Sequence, residues 1–134
     1  MGSFAIHLFT LFLLVILLPN CDALNLEDPV EVHVRNDLVP SVKVIAHCKS
    51  KNSDLGERIL SYHDSYNFRF RPNFWGTTRF YCSFAWENEL HWFDIYKFNR
   101  DQSTGKSCQW KITRKGPCMF NREMNYKICY IWNN

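Results

Sequence analysis

The sequence predicts an all-β fold: a small antiparallel β-sandwich stapled by disulfides and preceded by an N-terminal signal peptide. Three observations carry this. Phe80, Cys82, Phe84 and Trp86 take every second position in the run 75–86, so on a strand they share one face, while Arg79, Tyr81 and Ser83 take the other. Six clearly alternating segments, about eight short strands in all, recur at roughly ten-residue spacing with turn residues between them. No segment holds a 3.6-residue apolar period over a dozen residues.

The N-terminus sets the compartment. Residues 8–18 are apolar except for Thr10, and Cys21-Asp22-Ala23 puts small residues at the −3 and −1 positions of a cleavage site. A signal peptide is expected over residues 1–23 and one domain over 24–134. A membrane span needs about 20 apolar residues, and this run stops at Pro19-Asn20. No stable membrane insertion is therefore expected after cleavage. Removing the peptide takes Cys21 and Asp22 with it, leaving five of the six cysteines and raising the formal charge from +3 to +4. In an oxidising compartment such cysteines form disulfides, and an odd number leaves one over. The basic residues are spread along the chain, which argues against nucleic acid as a partner, and the domain is expected to be a monomer.

The strands follow in order. Val30, Val32 and Val34 alternate with Glu31, His33 and Arg35, a half-buried strand that Asn36-Asp37 ends. After Pro40, Val42, Val44, Ala46 and Cys48 share an inward face. Residues 49–54 read as a polar loop, closed by Leu55-Gly56. The segment 57–64 is compatible with a short strand or one turn of helix. Tyr66, Phe68 and Phe70 alternate with Asn67, Arg69 and Arg71 until Pro72-Asn73. The hairpin of residues 75–96 follows, turning at Glu87-Asn88-Glu89, and carries the densest aromatic surface of the chain. Residues 99–106 form the longest polar connection and read as a solvated loop. Cys108 to Thr113 alternates again, Arg114-Lys115-Gly116-Pro117 turns, and Cys118-Met119-Phe120 follows. A last strand over 126–132 would place Tyr126, Ile128, Tyr130 and Trp132 on one face.

Several of these segments resemble the plant self-incompatibility S1 family, the S-protein homologues. The matching residues are Val32-His33-Val34-Arg35-Asn36-Asp37-Leu38, then His47-Cys48-Lys49-Ser50-Lys51 with Asp54-Leu55-Gly56. Trp75-Gly76-Thr77-Thr78, Phe80-Tyr81-Cys82, Cys108-Gln109-Trp110 and Gly116-Pro117-Cys118 follow in the family's order. The resemblance implies a secreted plant β-sandwich acting as an extracellular ligand for a cell-surface protein receptor, related by family to self-incompatibility. The four matching cysteines are Cys48, Cys82, Cys108 and Cys118. They are expected to make two bridges, with Cys129, an extra against that pattern, as the free thiol. Four cysteines allow three pairings, so connectivity stays open.

No catalytic residue, cofactor or metal is expected. His47-Cys48 and His63-Asp64 are sequence neighbours, and neighbours on a strand point to opposite faces. Glu87 and Glu89 are conceivable as the paired carboxylates of a secreted hydrolase, but solvating a hairpin turn explains them more simply. Tyr81, Trp92 and Tyr96 present a second alternative, a carbohydrate-binding module with an aromatic platform, against the simpler reading that they fill a second sheet's core. Recognition is expected to fall on loops. Lys49, Lys51 and Asp54 are the candidates in the first, Glu87 and Glu89 at the acidic tip, and Arg100, Asp101 and Lys106 in the long polar connection.

Overall fold

The computed structural model describes residues 28–102, 106–121 and 125–132. The expected signal peptide and its cleavage site lie outside the described residues, as do residues 103–105 of the polar connection. Nine strands and one helical turn occur among the described residues: β1 (Val30–Asn36), β2 (Val44–Lys49), β3 (Asp54–Leu60), β4 (Ser65–Phe70), β5 (Arg79–Trp86), β6 (Glu89–Lys97), α1 (Phe98–Asp101), β7 (Ser107–Ile112), β8 (Pro117–Asn121) and β9 (Tyr126–Cys129). They build a five-stranded sheet in the order β4-β1-β7-β8-β9 and a four-stranded sheet in the order β3-β2-β5-β6.

The alternation read in the sequence decides which face each strand buries. Val30, Val32 and Val34 of β1 join Tyr66, Trp110 and Ile112 from the same sheet. Val44, Ala46, Phe80, Phe84, Trp86, Phe93 and Ile95 meet them from the other, in one continuous core. Ring contacts lock the layers together: Phe70 lies 4.5 Å from Phe80 and 4.7 Å from Tyr96, and Phe93 lies 5.2 Å from Trp110. Aromatic pairs of this kind contribute about 0.5–1.5 kcal/mol each beyond their buried area. One buried polar residue ties the end of β1 to the opposite sheet. Asn36 donates through Nδ2 to the carbonyls of Val42 (2.8 Å) and Leu60 (3.0 Å), and its Oδ1 accepts from the Leu38 N–H.

Several expectations change. The sandwich is not wholly antiparallel, because β1 and β7 pair in parallel. A parallel pair needs a long crossover, and here the four-stranded sheet lies within it. β3 begins at Asp54, inside the stretch read as loop, with Gly56 at φ 86°. The hairpin expected over 75–96 starts later, because its first strand begins at Arg79 and Trp75 stays on the connection before it. The last strand ends at Cys129, so the single face expected for Ile128, Tyr130 and Trp132 is broken. Ile128 is exposed, whereas Tyr130 and Trp132 pack on the core.

The path of that C-terminal segment depends on one glycine. A Cβ on Gly116 would lie 1.7 Å from the Tyr130 carbonyl oxygen, so backbone would have to move, whereas at Gly56 nothing lies within 4 Å. Gly116→Ala is expected to cost about 3 kcal/mol, in the range of steric defects inside a packed structure. Gly56→Ala should cost about 1 kcal/mol, the backbone penalty alone. Urea unfolding of the two variants measures the difference.

The disulfides correct the cysteine assignment. Cys48 bonds Cys82, and Cys118 bonds Cys129, each pair with Cα atoms 4.0 Å apart. Both bridges join residues directly opposite each other on neighbouring antiparallel strands, β2 with β5 and β8 with β9. Cys129 is therefore a bridge partner and not the expected free thiol. Cys108, buried on β7, takes part in neither bridge. Its geometry explains why. Lys111 is the residue facing Cys118, so Cys108 is displaced three positions, about 10 Å along the strand, and bridges need Cα atoms within about 7 Å.

Candidate functional site

Among the described residues the most exposed large hydrophobic side chains sit on the connection between β4 and β5. Asn73 shapes it: Oδ1 accepts from the Thr77 N–H (3.0 Å), Nδ2 donates to the Thr77 hydroxyl (2.8 Å), and the Asn73 N–H donates to the Thr78 hydroxyl (2.7 Å). Gly76, at φ 71°, completes the turn with its Cα against Phe98, where a Cβ would approach the ring to 2.9 Å. These bonds hold the chain so that Phe74 and Trp75 point outward, 84% and 81% exposed, with their rings edge to face at 5.5 Å. Sequence reading assigned neither residue to recognition. The signal was present in Pro72-Asn73-Phe74-Trp75-Gly76, two aromatics bracketed by turn formers.

The first loop candidates lie near this turn. Lys51 is exposed on the loop between β2 and β3, Lys49 is the last residue of β2, and Asp54 is the first of β3. Asp54 Oδ1 sits 2.6 Å from His47 Nε2 and accepts from the Gly56 N–H. The His47 bond foremost, then the Gly56 N–H, holds the Asp54 carboxyl below its usual range. Between this loop, the end of β4, the aromatic turn and the start of β5 lies a cleft of about 660 Å³.

The aromatic platform is only partly assembled. Tyr81 and Trp92 lie on the outer face of the four-stranded sheet with ring centroids 6.2 Å apart, and Trp92 is half exposed, so these two are not core. Tyr96 is core instead. A bulge at Phe80/Tyr81 pairs Phe80 with Tyr96 but Tyr81 with Asp94, so Ile95 and Tyr96 both turn inward. Burial, reinforced by Cys108 and Asp101, pushes the Tyr96 hydroxyl up to about 12.

Glu87 and Glu89 flank the β5–β6 turn and differ in role. Glu87, at φ 51°, is exposed and meets Arg114 at 3.2 Å. Glu89 accepts from the Trp86 indole N–H (2.9 Å) and lies 3.2 Å from His91, whose ring stacks on Trp132. It anchors the end of the sandwich.

Arg100 and Asp101 are not loop recognition groups. They belong to α1, and Asp101 is fully buried. Arg100 forks onto its carboxylate through Nε and Nη2, both at 2.8 Å, and Nη2 also donates to the Asp94 carbonyl (2.6 Å). The guanidinium lies 5.0–5.5 Å from the ring centres of Trp110, Phe93 and Tyr130. Desolvated aromatic faces and a paired carboxylate suit a planar cation, which is why this polar stretch folds inward. Lys106 remains exposed and pairs with Asp28.

None of the catalytic candidates is assembled. Cys48 is locked in its bridge, with His47 turned to the outer face. His63, at φ 70°, stacks on Tyr62. Among the described residues no three His, Cys, Asp or Glu side chains gather as a metal site, and no helix is long and apolar enough to cross a membrane.

Residues 31–132 match the profile of the plant self-incompatibility protein S1 family. The chain belongs to that family. S-protein homolog 2 of Arabidopsis thaliana is 45% identical over 76% of this chain and 67% of its own length, and S-protein homolog 19 of the same plant is 38% identical over 99% and 97%. The fold also matches a solved structure of SPH (self-incompatibility protein homologue) proteins, described as a widespread family of small, highly stable, secreted proteins from plants. The TM-score is 0.60 at 19% identity, over 81% of this chain and 97% of that one. As a member of the S1 family the protein is secreted, and its two disulfides suit an oxidising compartment.

Proposed function

We propose that this S-protein homologue is an extracellular signalling ligand, read by a protein on the surface of plant cells. The observation that carries the reading is the ordered turn presenting Phe74 and Trp75. The fold does not bury these rings, yet four hydrogen bonds around Asn73 hold them in place. Aromatic side chains exposed on a preorganised turn are the usual anchors of protein interfaces, because they bury much area at little entropic cost. The Lys51 loop and the Glu87 tip offer charges that steer an encounter more than they add affinity.

Proximity labelling of intact plant cells with the tagged mature protein tests this. Enrichment of a cell-surface protein, lost with Phe74→Ser/Trp75→Ser, is the expected result. Labelling that enriches no surface protein would overturn it.

A further inference from the structure

The cleft beside the aromatic turn has a chemistry of its own. Three cations line it, Lys51, Arg71 and Arg79, and no carboxylate does. Arg79 is offset from outside by Asp94, whose Oδ1 it contacts at 2.7 Å. Lys51 and Arg71, both exposed, meet no such offset within the lining. The rest of the wall is rich in hydroxyl and amide groups, among them Asn52, Ser53 and Thr77. Its volume falls within the range of about 300–1,000 Å³ typical of ligand sites.

The cleft also opens onto a surface. Tyr81 lines it and continues to Trp92 on the outer face of the four-stranded sheet, and Lys49 faces Tyr81 in the β2–β5 register. The Arg79 guanidinium lies 4.9 Å from the Tyr81 ring centre. A track of cations, hydroxyl groups and two tilted rings therefore runs from the end of the sandwich onto its face.

We propose that this track binds an acidic polysaccharide, a chain of uronate sugars. Carboxylates repeated along the chain would meet Lys51, Arg71 and Arg79. Ring hydroxyls would exchange hydrogen bonds with the Ser, Thr and Asn wall, and the apolar faces of the sugars would lie on Tyr81 and Trp92. An acidic peptide of aspartate or glutamate supplies the charge but lacks the apolar C–H ring faces that a sugar would lay on the aromatic pair. Peptides that bind as added strands also need an open strand edge, and β5, which carries Tyr81, is already paired with both β2 and β6. This site goes beyond the receptor reading, which rests on Phe74 and Trp75 and draws on the Lys51 loop only to steer an encounter, so either can fail alone.

The test is calorimetric titration of the mature protein with polygalacturonate, alongside its fully methyl-esterified form, poly-L-glutamate and dextran sulfate. Binding to polygalacturonate should weaken with added salt and disappear with the methyl ester. Lys51→Gln/Arg71→Gln should weaken it at least tenfold, and because both side chains are exposed the thermal midpoint should stay that of the parent. Trp92→Ala should weaken it several-fold with all cations intact. Equal affinity for poly-L-glutamate or dextran sulfate would overturn the assignment in favour of undiscriminating anion binding. Retention of the methyl ester, or parental affinity in the folded double variant, would overturn it outright.

Discussion

Replacing Cys48 and Cys82 together by alanine is expected to lower the stability of the domain by about 4 kcal/mol, the value the chain-entropy relation gives for a loop of this size. The bridge spans 34 residues of sequence, from the second strand to the fifth, and joins the two central strands of the four-stranded sheet. Without it the unfolded chain regains that loop's freedom. Both cysteines are fully buried, so the alanines also leave unfilled space where the sulfurs packed. The Cys118–Cys129 bridge closes a separation of only 11 residues, and the same relation gives about 3 kcal/mol for it. Urea unfolding of both double variants should rank them in that order. Midpoints indistinguishable from the parent would contradict the account of the staples.

The second large effect belongs to the Arg100–Asp101 pair. Arg100→Ala is expected to cost about 3–5 kcal/mol, because it strands a carboxylate in the interior without its cation. Asp101 has no accessible surface, and its Oδ2 also accepts from the Lys97 N–H, so it cannot turn outward without opening α1. Arg100→Lys should restore little, since an ammonium cannot fork onto the carboxylate while lying flat among Trp110, Phe93 and Tyr130. Replacing both charges together, as Arg100→Met/Asp101→Leu, should recover much of the loss, as buried ion pairs commonly allow. Thermal unfolding decides it. Arg100→Ala within about 0.5 kcal/mol of the parent, the range of ordinary surface substitutions, would mean that the buried pair does not hold the fold.

Local alternation made much of this architecture legible. The valines of β1, the aromatics of β4 and the Phe80-to-Trp86 stripe each announce a half-buried strand, and family residues spread over the chain announce which sandwich. Features set by strand neighbours were not legible. Cys129 bonds Cys118 because β8 and β9 lie side by side in a register that faces the two, which spacing alone does not reveal. Tyr81 and Trp92, which read more simply as core, stay on the outer face, and only Tyr96 turns inward, through a bulge that inserts one residue opposite β5. Arg100 and Asp101 sat in a polar string that reads as solvated until Phe93, Trp110 and Tyr130, distant in sequence, are seen to surround the guanidinium. Trp75 failed in the opposite sense. An aromatic beside a rich strand looks like core, and only the Asn73 turn shows that the strand has not yet begun.

The exposed aromatic turn is the part of the account that joins structure to function. Saturation binding of labelled mature protein to intact plant cells tests it most directly, comparing the parent with Phe74→Ser/Trp75→Ser and confirming by circular dichroism that both are folded. Saturable binding is expected that weakens at least tenfold in the variant, about 1.4 kcal/mol or more, the effect of removing interface anchors. Equal affinity for parent and folded variant would contradict it.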